Sequence, residues 1–270
     1  MSTEHNEEPR GARPGLTLVA DRESVRDVEE LRALAVEGAR RFGGDVDARA
    51  VIAWAAETFG PRWAITASMQ DTVLAHLVSQ VAPGTDLLFL ETGYHFAQTL
   101  ATRDAVRERY DLVVHDLRPD QSPAEQDEAY GVDLYRSNPD LCCLLRKETP
   151  LEEALYRYEA WATGARRTES PTRAGTRQIA FDERRQRVRL APLAAWSDAD
   201  VERYADEHDV IRNPLLDQGY PSIGCATCTR KVLPGEDPRA GRWSGTAKTE
   251  CGINVSEPRP VHALRTERTA

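Results

Sequence analysis

Between residues 63 and 117 the chain alternates short unbroken apolar runs with amphipathic stretches, and few folds accept that order. Residues 63–68 (WAITAS) read as a short buried strand, with 86–91 (DLLFLE) and 111–117 (DLVVHDL) as the second and third strands. Helical periodicity fills the gaps, with Val73, Leu74, Leu77 and Val78 after Asp71 and a second helix over 96–110. Strand, helix, strand, helix, strand predicts an α/β fold, a doubly wound and mainly parallel sheet covered on both faces. Ligands of such sheets bind beyond the carboxyl ends of the strands. That rule puts residues 68–71 and 92–95 at the mouth of a site.

The rest of the chain extends this plan. Val25, Val28, Leu31, Ala35 and Ala39 recur at helical spacing until Gly43 and Gly44 stop them, and a second helix covers 48–58. Residues 122–160 read as helical, with Cys142 and Cys143 at or near the start of one of these helices. Strand character returns at 160–166 and 178–190, and a helix over 198–208 has Ser197 as a natural N-cap. After Cys228, Pro234, Gly235, Pro238, Gly241 and Gly245 break any regular element, which predicts a long mobile loop. The expected organisation is a disordered tail over 1–20, a main domain over 21–230 and a flexible C-terminal arm over 231–270.

Composition narrows the function classes. A net charge of −9 argues against a general nucleic-acid-binding surface. No apolar run is long enough to span a bilayer, and the polar first residues lack the apolar core of a secretory signal. A cytoplasmic setting follows as the expectation. Thiols stay reduced there, and clustered cysteines bind metal or do chemistry.

The five cysteines fall into two close pairs and one remainder. Cys225 and Cys228, in SIGCATCTRK, have the spacing of half a structural zinc site. Cys142 and Cys143 do not, because neighbours on a helix diverge by roughly 100° and converge poorly on one ion. Adjacent thiolates reach two different irons of an iron–sulfur cluster more easily. The spacing therefore favours a cluster over zinc, with coincidental buried or paired cysteines as the third reading. Cys251 needs a separate role. It lies on the expected mobile arm, three residues after Lys248 and just before Gly252, features that suit a nucleophile, while Glu250 opposes thiolate formation.

Candidate anion-binding residues are scattered but share a setting. Ser68 stands between a predicted strand and a predicted helix N-terminus, where backbone N–H groups favour phosphate or sulfate. Arg146 with Lys147, Arg166 with Arg167, Arg173, and the arm pair Arg239 and Arg242 follow cysteines, glycines or strand ends. Arg offers bidentate recognition and Lys a compact charge, although each alone reads equally well as a surface cation. Lys147, Lys231 and Lys248 are the only lysines, and all three lie close to cysteines. Tyr94 and His95 at the second strand mouth are further candidates for ligand contact.

The ordered set TASMQD, FLETGYHF, CCLLRK, TGARR with SPTR, GYPSIGCATCTRK, GRW and KTECGIN resembles the assimilatory sulfonucleotide reductases, most closely the bacterial adenylyl-sulfate (APS) reductases. The likeness runs from about residue 63 to 254. It implies a PP-loop, adenine-nucleotide-hydrolase-like fold and a [4Fe–4S] cluster on Cys142, Cys143, Cys225 and Cys228. It also implies Cys251 as the nucleophile toward adenosine 5′-phosphosulfate, and thioredoxin as the reductant that releases sulfite. Ser68, Lys147, Arg166, Arg173, Arg239 and Arg242 become expected substrate contacts. Relatives acting on phosphoadenylyl sulfate (PAPS) lack the cluster cysteines, so the two pairs favour APS. The alternatives are a PAPS or dual-specificity reductase, and a non-catalytic cluster-bearing nucleotide sensor. Two positions depart from the family pattern: Asn254 stands where His is usual, and Glu91 where Asp is common.

Overall fold

A computed structural model describes residues 25–44 and 46–254. The expected disordered tail and the last sixteen residues of the expected arm lie outside the described residues. Six strands form one sheet: β1 (Trp63–Thr66), β2 (Thr85–Leu90), β3 (Leu112–Leu117), β4 (Ala160–Thr163), β5 (Ile179–Asp182) and β6 (Arg187–Leu190). Their spatial order is β3-β2-β1-β4-β6-β5, with every pairing parallel except β5 against β6. The expected doubly wound, mainly parallel sheet is therefore present, with one antiparallel edge.

Nine helices cover the sheet among the described residues: α1 (Val28–Arg41), α2 (Ala48–Phe59), α3 (Val73–Val81), α4 (Ala97–Arg109), α5 (Pro123–Tyr130), α6 (Leu134–Ser137), α7 (Pro139–Cys143), α8 (Thr149–Leu155) and α9 (Asp198–Glu207). Side chains alternate between two cores, as strand geometry requires. Ile65, Leu87, Phe89 and Ala162 face Leu31, Trp54, Leu77 and Val201 on one side. Ala64, Leu88 and Trp161 face Leu151, Leu155 and Tyr158 on the other. All four residues of β1 are buried because both its faces are covered.

Most helix ends follow their capping chemistry. Helix α1 begins at Val28 rather than at the apolar Val25, because Asp27 accepts the Glu30 amide and Glu30 returns the bond. Ser197 caps α9 through the same reciprocal arrangement with Asp200. The vicinal cysteines end the five-residue α7, and the helical path continues through them as a π-turn, Leu144–Glu148, into α8. Pro150 cannot donate to the carbonyl four residues back, so a normal α ladder fails there and the wider turn takes its place.

The second core contains a buried polar relay. Tyr158 donates to Asp86 Oδ2 at 2.7 Å, and His115 Nε2 lies 2.7 Å from Asp86 Oδ1. The three residues tie the segment between α8 and β4 to the adjacent strands β2 and β3. Replacing Asp86 by Ala strands buried Tyr158 and half-buried His115, so Asp86→Ala is expected to cost about 2–3 kcal/mol. Urea unfolding followed by circular dichroism reads that loss; an unchanged midpoint would show that the relay is energetically idle.

Strand order reverses at β1, which has β2 on one side and β4 on the other. A crevice opens at that point beyond the strand ends.

Candidate active site

Residues 67–71 leave β1 along a path set by neighbours rather than by glycine. Met69 is buried with φ 59°, a left-handed conformation that costs a bulky residue about 1 kcal/mol or more. Three hydrogen bonds hold it there. Asn213 Nδ2 donates to the Met69 carbonyl at 3.0 Å, the Asn213 amide to the Gln70 carbonyl at 3.1 Å, and the Ile223 amide to Gln70 Oε1 at 2.9 Å. The last bond ties the β1 loop to the segment just before Cys225. The amide of Val73 at the start of α3 is taken by Asp71 Oδ1 at 3.3 Å, so the chain's own carboxylate sits where an external anion was expected. Burial pushes that carboxyl up, and Arg166 works against the shift.

The crevice is an open cleft of about 170 Å³. Ser68, Lys147, Arg173, Arg239, Arg242 and Cys251 line it, so six residues nominated from the sequence meet in one place. Residues distant in sequence supply the cations: Lys147 comes from the π-turn after the vicinal cysteines, Arg173 from the loop after β4, and Arg239 and Arg242 from the arm. Arg242 Nη1 donates to Ser222 Oγ and to the Ile223 carbonyl, both at 3.2 Å, and its guanidinium stacks 4.5 Å from the Trp243 ring. Gly224 makes this possible, since a Cβ there would fall inside the Arg242 guanidinium.

Arg166 is not among the side chains that line the cleft. Its Nη1 is 2.6 Å from Asp198 Oδ1 and its amide donates to Glu169 Oε2 at 2.8 Å, so it braces Glu169, which does face the cleft. Of the other lysines, Lys248 pairs with Asp140, and Lys231 is exposed beside the Tyr220 ring. Of the two residues suggested at the β2 mouth, His95 faces the cleft, while Tyr94 faces a second cavity.

That second cavity is lined by Cys142, Cys143, Cys225 and Cys228 together with Arg146, Lys147 and Trp243. Three of the thiols are buried and Cys228 is half-buried, and all five cysteines of the chain are free. Among the described residues no three His, Cys, Asp or Glu side chains gather closely enough to hold a metal ion. Burial, with Cys225 and Cys228 close by, pushes the Cys142 thiol up to about 11, and burial also pushes the Cys228 thiol up. Thr92 Oγ1 lies 3.4 Å from Cys225 Sγ. The Arg146 guanidinium is buried against the Tyr94 ring and donates to the Gln121 carbonyl at 3.0 Å.

Lys147 borders both cavities, and Cys251 packs against Cys143 and Trp243 at their junction. The Cys251 thiol is held below its ordinary range, first by a hydrogen bond from Cys143 and then, against the cost of burial, by the Lys147 ammonium. The bond from Cys143 requires that thiol to keep its proton. Lys147 needs no such condition, and its own pKa is raised because nearby Cys225, Cys251 and Cys143 outweigh the effect of burial.

The arm is packed in this structure, with Trp243 and Cys251 buried. Its described part has the irregular path expected, carrying only a 3₁₀ turn (Gly252–Asn254) and one isolated bridge between Thr229 and Arg242. Gly252 serves close packing against protein rather than ligand: a Cβ there would strike the Glu148 carboxylate. Arg184 and Arg185, in the β5–β6 hairpin, reach the Gly252 carbonyl at 3.4 Å, and Arg189 donates to the Asn254 carbonyl at 3.1 Å. Sequence reasoning missed these three arginines, Glu148 and the structural role of Trp243. Only the GRW triplet carried any signal for the last.

Comparison with known proteins agrees with this architecture. The phosphoadenosine phosphosulfate reductase domain matches residues 62–231. The adenosine 5′-phosphosulfate reductase of Streptomyces coelicolor is 55% identical over 229 residues, 85% of this chain and 97% of that one. The protein of the same name from Mycobacterium tuberculosis is 45% identical over 244 residues, 84% of this chain and 96% of its own. The crystal structure of phosphoadenylyl-sulfate reductase from Candida auris, a phosphate complex, superimposes with a TM-score of 0.60 at 29% identity, covering 76% of this chain and 96% of that one. The expected PP-loop type of doubly wound sheet is thus present, and the chain belongs to the phosphoadenosine phosphosulfate reductase domain family.

Proposed function

We propose that the chain is an adenylyl-sulfate reductase, an oxidoreductase that converts adenosine 5′-phosphosulfate to sulfite and AMP in assimilatory sulfate reduction and so supplies cysteine biosynthesis. The observation that carries the reading is Cys251 standing in a cleft lined by Lys147, Arg173, Arg239 and Arg242. Relatives at about half identity bear the same name.

The chemistry follows from the residues. The cations hold the phosphosulfate and neutralise charge as it shifts toward the leaving phosphate. The Cys251 thiolate attacks the sulfate sulfur; a sulfur–sulfur bond forms, the bond from sulfur to the bridging oxygen breaks, and AMP departs with the electron pair. Cys251 is left as an S-sulfonate, which divides one hard reduction into two easier steps. A dithiol protein of the thioredoxin class then attacks the Cys251 sulfur, sulfite leaves, and its second thiol resolves the mixed disulfide. Two thiols supply both electrons. A reducing cytoplasm is the setting in which such thiols persist.

The four-cysteine cavity fits a [4Fe–4S] cluster by its donor set. Thiolate-only sites favour iron–sulfur or zinc, and two vicinal cysteines suit two irons better than one ion. Cys142, Cys143, Cys225 and Cys228 would hold it, and it would supply a fixed charge and a rigid scaffold beside Lys147. Purified anaerobically, the protein is expected to show broad visible absorption with iron and sulfide in equal amounts; a colourless protein with stoichiometric zinc would overturn the assignment.

Substrate choice is read by sulfite release from APS and from PAPS with thioredoxin present. The expected result is a clear preference for APS. Faster release from PAPS would move the chain to the other branch of the family.

A further inference from the structure

The arm brings a carboxylate into the cleft along with its thiol. Glu250 is half-buried there, and Arg173 grips it bidentately, with Nε 2.7 Å from Oε2 and Nη2 3.0 Å from Oε1. Arg239 approaches Oε1 at 3.5 Å. Two groups of the arm itself close the arrangement: the Cys251 amide donates to Oε1 at 2.9 Å and Asn254 Nδ2 donates to the same oxygen at 3.1 Å. Arg173 is further held by Glu169. Burial acts to raise the Glu250 carboxyl, but Arg173, the Cys251 amide and Arg239 together hold it down to about 2, so it is charged throughout the neutral range.

A planar fork of guanidinium donors around two oxygens is the arrangement that recognises phosphate or sulfate. The cleft holds two arginines committed to an anion that belongs to the protein. We propose that Glu250 is an internal stand-in for the substrate's anionic group, occupying Arg173 and Arg239 until a sulfate- or phosphate-bearing ligand displaces it. This rests on the reading of the cleft as an APS site. Displacement breaks the bond from Glu250 to the Cys251 amide and the bond to Asn254, so arrival of the anion frees the turn that carries the nucleophile. The arm is thereby coupled to occupancy of the cleft, and the ligand's affinity is reduced by the fraction of protein in which Glu250 already holds the arginines. Beyond the arginines, Glu250 also accepts from Thr172 Oγ1 at 3.5 Å, and its partners on the arm are the nucleophile's own amide and the residue that departs from the family pattern. Asn254 thus steadies the stand-in.

The test uses inorganic sulfate and AMP as probes and Glu250→Gln as the variant. The amide keeps an acceptor for the Cys251 N–H and removes the charge that binds the arginines. By calorimetry, Glu250→Gln is expected to bind both probes about tenfold more tightly than the native protein. Equal or weaker binding of sulfate by the variant would overturn the stand-in role. AMP that fails to bind the native protein would sink the nucleotide reading alone, because the sulfate comparison still decides Glu250. The native protein supplies a second measurement that survives misfolding of the variant. Saturating sulfate is expected to speed iodoacetamide labelling of Cys251 several-fold, scored by peptide mass, as the buried thiol is released. Labelling slowed or unchanged by sulfate would show that the anion enters without moving Glu250.

Discussion

Incubated with adenosine 5′-phosphosulfate and no dithiol, the native protein is expected to gain the mass of one SO₃ group, and Cys251→Ser is expected to gain nothing. Steady-state sulfite release by the variant should fall by about 10⁴-fold or more, the scale on which loss of a nucleophile acts. The expectation singles out Cys251 from five free cysteines on geometric grounds. It alone lines the cationic cleft, whereas the other four face the adjoining cavity. Serine preserves the size of the side chain and lacks the acidity: the Lys147 charge helps hold the Cys251 thiol below its ordinary range, and a hydroxyl in the same place stays protonated. Intact-mass spectrometry separates the outcomes. An adduct that persists in Cys251→Ser would move the bond-making to another thiol. A native protein that binds AMP and never forms the adduct would instead be a nucleotide sensor.

The parts of this architecture legible in the sequence are those set by local rules. Apolar runs within residues 63–68, 86–91 and 111–117 mark the parallel strands, most cleanly β1, all of whose residues are buried; β3 is legible from its leucines and valines although Val113 is exposed. The cysteines were legible for a different reason: few side chains bind metal or attack sulfur, so their spacing speaks directly of chemistry. What stayed hidden depends on distant pairings. Arg166 and Arg173 look alike in TGARR and SPTR, yet Asp198, in α9, draws the first away from the cleft and Glu250 draws the second into it. Read beside Cys251 alone, Glu250 opposes a thiolate. Folded, its charge is absorbed by Arg173 and Arg239, and it orders the backbone of the nucleophile. The glycine after Cys251 likewise seemed suited to approach by a ligand, while Glu148, a hundred residues earlier, is what lies against it. Long-range ion pairs carry no periodicity, and a single sequence cannot announce them.

Lys147 is the residue on which the two cavities depend together, and its loss should be the largest among the cations. It faces Cys225 and Cys143 on one side and Cys251 on the other, and it is the stabiliser of the Cys251 thiolate that does not require Cys143 to keep its proton. When Cys143 is a metal-bound thiolate that hydrogen bond has no donor, and the ammonium must do more. A preorganised cation in a cleft sheltered from water acts most strongly where negative charge develops. Lys147→Ala is therefore expected to slow formation of the Cys251 adduct by about 10²–10³-fold, the range observed when one such donor is removed. Lys147→Arg should recover part of that loss, because the charge remains while its position shifts by the length of the longer head group. Two further readings tell charge from scaffold. At pH 7 the alanine variant should alkylate Cys251 more slowly than native protein, since the thiol loses the neighbour that keeps it ionised, and raising the pH should restore the rate. The visible absorption should persist in both variants, because neither removes a cysteine. Loss of absorption in Lys147→Ala with retention in Lys147→Arg would make the ammonium a requirement for assembly of the four-cysteine site, and the kinetic effect would then follow from a missing scaffold rather than from a missing charge.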